Sequence, residues 1–291
     1  VSRFIEEAQV GAQLQHPNII PVYELGKLQS GRHYFTMKEI RGTEFTEHIQ
    51  GVHEASDDER WRTARGGITF RHLIQTFHKL CITMAYAHSK GVIHRDLKPE
   101  NIMIGGFGEV LVVDWGIAKV MGRDQAEDWE YAVETDRSID NIMATRMGSI
   151  AGTPCYMSPE QAQGLTEQIG FASDIYTLGA ILYEILSGQP PFLGNTADEV
   201  IERVKNETPA PLRRTTWRSS GEPPGGVPNH EELAPLPEAS NKLPDALIAI
   251  CERAMTREID GRFASAEALA GEVLGWLEGA EKRDKGLKEV E

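Results

Sequence analysis

Residues 94–101 read His-Arg-Asp-Leu-Lys-Pro-Glu-Asn, and thirteen positions after Asn101 stands Asp114-Trp115-Gly116. Any one of these polar residues taken alone is ordinary solvated surface. The whole string is a poor candidate for chance, because it sets carboxylates, a cation and an amide at short fixed intervals. The flanking sequence says how they are carried. Ile102-Met103-Ile104 and Val110-Leu111-Val112-Val113 are short apolar runs separated by Gly105-Gly106-Phe107-Gly108, which is the pattern of a β-hairpin. A loop at 94–101 therefore feeds a hairpin whose far end delivers Asp114. The chain has 291 residues, 40% of them hydrophobic, enough for a large core or two unequal lobes behind such a unit.

The string resembles the catalytic loop of protein kinases, and Asp114-Trp115-Gly116 resembles their magnesium loop. The resemblance implies an α+β, two-lobe fold with a small strand-rich lobe, here incomplete, and a large, mainly helical one. Phosphoryl transfer is mostly positioning and neutralisation of charge. Asp96 is then expected to orient the acceptor hydroxyl and Lys98 to meet the moving phosphoryl. An ordinary aspartate, with a pKa of about 3.9, takes that proton only late in the reaction. Asn101 and Asp114 offer the hard oxygens that Mg2+ or Mn2+ favours, with ATP as the nucleotide. Trp115 replaces the usual Phe, and its buried indole N–H needs a partner.

Outside this unit, Leu73, Phe77, Leu80, Cys81 and Met84 recur at helical spacing, and the helix leads through Gly91 into the loop. Ser173-Asp174, followed by Ile175, Leu178, Ile181, Leu182 and Ile185, marks a helix of nearly all-round apolarity that must be buried and that stops at Gly188. By resemblance Asp174 holds the backbone of the catalytic loop by hydrogen bonds, and His94 and Arg95 of that loop count among the regulatory or structural residues; a plain helix N-terminal charge effect is the competing reading of Asp174. Gly152 to Glu160 is similar to the end of a kinase activation segment, and Glu160 is expected to pair with Arg262. Lys98 and Thr153 match the serine/threonine version of the family, and the nearest resemblance is to bacterial Hanks-type kinases. Arg95 would receive a phosphate on Thr145 or Ser149, although both are equally readable as solvated loop hydroxyls.

The same resemblance divides the chain. Residues 1–42 are the part of the small lobe that is present, 43–277 the large lobe with insertions at 50–67, 122–142 and 206–244, and 278–291 a charged linker. Glu7 falls at the helix glutamate that pairs with the nucleotide-binding Lys, yet no Gly-x-Gly-x-x-Gly and no Val-Ala-x-Lys precede it. The expectation is thus an amino-truncated form, weak in ATP binding and catalysis by itself. Met37, Lys38 and Ile40 would line the adenine pocket from the hinge, with Met103 beneath the base. The acidic run between 122 and 140 reads equally as a disordered insertion or as a charge holding the segment away. Residues 206–244 are rich in proline with Gly221, Gly225 and Gly226, a surface excursion by composition.

A formal charge of -14 argues against nonspecific nucleic-acid or anionic-membrane partners, which demand Lys and Arg. Three widely spaced cysteines suggest a reducing compartment, and no apolar run reaches the ~18 residues of a membrane span. The expected location is cytoplasmic, with tethering through regions outside the chain left open. The expected partners are protein substrates with Ser or Thr acceptors, its own activation segment among them, so self-association is open too. A pseudokinase scaffold keeps the same fold and is the alternative. A small-molecule phosphotransferase would have no use for the Gly152–Glu160 segment.

Overall fold

The computed structural model describes residues 10–56, 61–115, 118–120, 154–212 and 243–288, the last nine of these by backbone only. Glu7, Thr145, Ser149, Thr153 and the 122–142 insertion lie outside the described residues.

The small layer is a hairpin of β1 (Val22–Lys27) and β2 (His33–Met37), with Leu25 opposite Phe35 and Gly26 opposite Tyr34. Gly26 is bare for a reason, since a Cβ there would meet the Tyr34 ring at 2.5 Å. Residues 10–13 are helical, and Val10 and Leu14 are buried in the core. The chain then enters β3 (Gly42–Glu44), which pairs antiparallel with β5 (Ile102–Gly105), itself paired with β6 (Val110–Val112). β4 (Val92–Ile93) pairs with β7 (Lys119–Val120). Val112 N–H also donates to Asn18 O at 2.8 Å, which ties the segment before β1 to the hairpin carrying Asp114.

The large layer is helical: α1 (Phe45–Ala55), α2 (Phe70–Ser89), α3 (Pro159–Ala162), α4 (Phe171–Ser187), α5 (Ala197–Asn206), α6 (Asp245–Ala254) and α7 (Ala266–Lys288). α2 starts where Thr69 accepts from His72 N–H, and it turns Leu73, Phe77, Leu80, Cys81 and Met84 inward. α4 is the post around which the rest packs. From Ser173 to Ser187 every residue is buried, and Gly188 at φ 83° ends the helix in a conformation only glycine takes easily. A Cβ at Gly179 would meet Met255 and Ala254 at 2.7 and 2.8 Å, so α4 and the end of α6 touch backbone to side chain. Each fully buried Leu or Ile in this post contributes about 1.5–3 kcal/mol by leaving water.

Three expected boundaries change. Residues 50–55 are no excursion: they complete α1, because Phe45, Ile49 and Val52 share its buried face and His53 is buried beside them. Trp61 then stacks on Phe70 with ring centroids 4.2 Å apart. At the start of 206–244, Asn206 still belongs to α5, and residues 207–212 leave regular structure but are tied down. The Arg257 guanidinium donates to Val204 O and Glu207 O, and Tyr183 OH donates to Ala210 O. Past 278 the backbone continues as helix to Lys288, and in the run 278–291 Glu and Lys, both good helix formers, are the most frequent residues.

Candidate active site

The site is built outward from Asp174, in the first turns of α4 and 1% exposed. Its carboxylate accepts from His94 N–H at 2.9 Å, from Arg95 N–H at 3.0 Å and from His88 Nε2 at 2.8 Å. Burial opposes ionisation, but the His88 partner, nearby His94 and the backbone N–H together hold the carboxyl below its ordinary range. The dominant role of Asp174 is therefore a bolt between α4 and the loop, beyond any helix-end effect. Arg95 needs that bolt, because its φ of 70° is left-handed and costs a side-chain-bearing residue about 1–2 kcal/mol. Gln161 Nε2 donates to Arg95 O at 2.8 Å, so the strained residue is clamped on both sides, by α4 and by α3.

His94 is fully buried and knits the loop to the hairpin. Its Nδ1 accepts from Asp96 N–H at 3.3 Å, which assigns the ring proton to Nε2, and Nε2 donates to Val113 O at 3.2 Å. Asn101 does the same from the other end. Its Nδ2 donates to Asp96 O at 2.9 Å, its carbonyl accepts from Val113 N–H at 2.9 Å, and its own N–H donates to Lys98 O. Asp96, Lys98 and Asn101 are thus one hydrogen-bonded turn, and Val113 places Asp114 directly beside it. Asp96 is 4% exposed, so the turn is held inside the fold and is no loose surface loop. Among the described residues Asp114 is, besides Arg95, the other non-glycine residue with positive φ, at 59°. The indole of Trp115 is buried, donates to Val112 O at 3.3 Å and lies 4.6 Å from the His94 ring.

The remaining expected site residues fall in two places. Met37 ends β2 and is half exposed, Lys38 N–H donates to Pro21 O at 3.4 Å, and Ile40 is half-buried on the connection to β3. Met103 sits on β5 between Glu44 of β3 and Leu111 of β6. On the far side of the loop, Arg262 Nη1 and Nη2 donate to the two oxygens of Glu160 at 2.8 Å each, and Ser173 Oγ donates to the same carboxylate at 2.7 Å. Both charged residues are under 5% exposed. Burial alone would push Glu160 up; the guanidinium fork outweighs it and the carboxyl lies below its ordinary range.

Several contributors escape a sequence reading. Gln161 is one, although Ser158-Pro159-Glu160-Gln161 is a capping-box pattern and Ser158 does cap α3. His88 and Glu184 are others. Tyr156 OH donates to Glu184 Oε2 at 2.5 Å, and burial, reinforced by the charge of Glu100, pushes Glu184 up to about 7 despite that bond. Glu100 is itself raised by burial, with its Oε2 enclosed and lacking a hydrogen-bond partner among the described residues.

A strand-rich small layer over a helical one, joined at a hairpin that sets an Asp-x-x-x-x-Asn turn against a second aspartate, defines the phosphotransferase class of fold met in protein kinases. The family described as protein kinase domain matches residues 2–273, and the chain belongs to it. It is similar to the serine/threonine-protein kinase PknD of Protochlamydia amoebophila, 34% identical over 95% of this chain and 26% of the relative. The PknD proteins of Chlamydia pneumoniae and Chlamydia abortus are 30% and 32% identical over 96% of this chain, covering 27% and 26% of their own lengths. The chain thus spans about a quarter of the length of these curated relatives. Among the described residues no helix is long and apolar enough to cross a membrane.

Proposed function

We propose that the protein transfers the γ-phosphoryl of ATP to serine and threonine hydroxyls of protein substrates, with its own activation segment among the acceptors. The observation that supports this best is the single hydrogen-bonded unit made by Asp96, Asn101, Val113 and Asp174, because it fixes the donor and acceptor groups before any ligand binds. In this reading the Asp96 carboxylate orients the acceptor hydroxyl and receives its proton late. Lys98, two residues on, neutralises charge on the phosphoryl oxygens. Met37, Lys38 and Ile40 meet the adenine from the hinge, and Met103 packs beneath it. Glu7 is assigned to the nucleotide-side ion pair, and Thr145, Ser149 and Thr153 to the activation segment.

The donor set fits a divalent cation. Asn101 commits its Nδ2 to Asp96 O, which leaves its hard oxygen Oδ1 on the other side of the amide, and Asp114 adds a carboxylate. Asn101 and Asp114 would hold Mg2+ or Mn2+, which when bound neutralises the charge of the nucleotide phosphates. His94, Arg95, Asp174, Glu160 and Arg262 act behind these groups by holding the backbone. Residues 1–42 and 43–277 serve as the two lobes, and the covalent work stays in the cleft between Asp96 and Asp114.

The test is to incubate the intact protein with [γ-32P]ATP, Mg2+ and a general protein acceptor, then hydrolyse and separate phosphoamino acids. Label on serine and threonine is expected. Label on tyrosine alone would overturn the serine and threonine specificity, and no label from the wild-type protein would overturn the proposal and return the scaffold role.

A further inference from the structure

Asp114 is held in an unfavourable backbone conformation, and something must hold it. Its φ of 59° lies where a residue with a Cβ is strained. The residue before it is fixed at both polar atoms: Val113 N–H donates to Asn101 O at 2.9 Å and Val113 O accepts from His94 Nε2 at 3.2 Å. The residue after it is fixed by its side chain. Trp115 is 5% exposed, its ring lies 4.6 Å from His94, and its Nε1–H reaches back over Asp114 to Val112 O at 3.3 Å. Trp115 O also accepts from Ala118 N–H at 3.0 Å.

We propose that Trp115 is a positioning residue for Asp114: its indole N–H closes a side-chain-to-backbone bridge across Val112–Trp115 that locks the Asp114 carboxylate in place before metal or nucleotide arrives. A ring without a donor could fill the same space beside His94 but could not make the bridge. The backbone would then be free to relax out of the left-handed region, and the order restored on binding would be drawn from the affinity for the metal-bound nucleotide. The lock rests on the proposal that Asp114 holds the cation, so its test must fail separately from that reading.

The experiment compares wild type with Trp115→Phe in the intact protein by two measurements. Hydrogen exchange, without metal or nucleotide, should show amides of residues 112–115 exchanging about three- to tenfold faster in the variant, as loss of one ordinary neutral hydrogen bond implies, while amides of α4 stay unchanged. Calorimetric titration with ADP should show affinity lowered by a similar factor when Mg2+ is present and unaltered when it is chelated. Unchanged exchange at 112–115, or acceleration spread equally over α4, overturns the lock, as does an unaltered Mg2+-dependent affinity. Asp114→Asn separates the two claims. If it leaves the Mg2+ dependence of ADP binding intact, the assignment of Asp114 has failed; if it abolishes that dependence while Trp115→Phe matches wild type, only the lock has failed. Benzothienylalanine at position 115 keeps the bicyclic shape and removes only the N–H, and it carries the same test should the phenylalanine variant not fold.

Discussion

Replacing Arg262 by Ala tests how the activation-segment end is anchored to the large lobe. The guanidinium spends all of its donor directions: two on Glu160, one on Thr256 O, one on Ala172 O and one on Arg257 O, at 2.8–3.0 Å. Truncation leaves a carboxylate that is 4% exposed with Ser173 Oγ as its remaining side-chain donor among the described residues, and uncompensated burial of one member of such a pair costs about 3–5 kcal/mol. For a domain of this size that corresponds to a fall in Tm of roughly 6–20 °C. The pH dependence separates a stranded charge from simple loss of packing. In the wild type Glu160 is held below its ordinary 4.5, so its contribution is present above that value and lost as pH falls through the folded pKa. In the variant burial acts alone and raises the carboxyl, so protonation relieves it and the stability gap to wild type should narrow as pH falls from 7 to 5. Urea unfolding at both pH values reads the gap. The pair Glu160→Leu with Arg262→Met should recover part of the loss and no more, because three carbonyls still lack their donor. An Arg262→Ala Tm within about 2 °C of wild type, or a gap that does not change with pH, would refute the reasoning.

Glu184 makes the opposite prediction. Its carboxyl is raised from 4.5 to about 7, so its favourable contribution is complete below 4.5 and is lost as pH rises through 7; that is about 3 kcal/mol across the window. Glu184→Gln should flatten this slope in urea unfolding between pH 5 and 8, and an unchanged slope would count against the buried acid. Asp174→Asn keeps the shape but weakens three hydrogen bonds that hold His94, Arg95 and His88, and should lower stability by about 2–4 kcal/mol with a larger proportional loss in transfer rate; equal rates in an assay below its Tm would contradict the bolt. Gln161→Ala removes one clamp from the strained Arg95 and should cost about 1 kcal/mol by thermal unfolding.

How much of this was legible in the sequence depends on the range of the interaction. The hairpin carrying Asp114 was readable because its strands are apolar runs around a glycine turn. The burial of α4 was readable too, since its residues are apolar on every side. The Glu160–Arg262 pair, 102 positions apart, was accessible only by resemblance, as no local pattern joins such residues. Gln161 with Arg95 and His88 with Asp174 are similarly remote and were not seen. The 50–67 boundary failed for a different reason: a window opening at Gln50 cuts the face formed by Phe45, Ile49 and Val52, so its remaining half looks polar. Beyond 278 a charged composition hid a helix, because Glu and Lys favour helix by propensity as readily as they fill a linker.

The most direct measurement is the initial rate of 32P transfer from ATP by the intact protein and its Asp96→Asn variant, with nucleotide affinity and Tm recorded alongside. A fall of about 10²–10⁴-fold in rate is predicted, with affinity and Tm near wild type, because the substitution removes the hydroxyl-orienting carboxylate and keeps the backbone carbonyl that Asn101 holds. A variant rate within threefold of wild type would contradict the account.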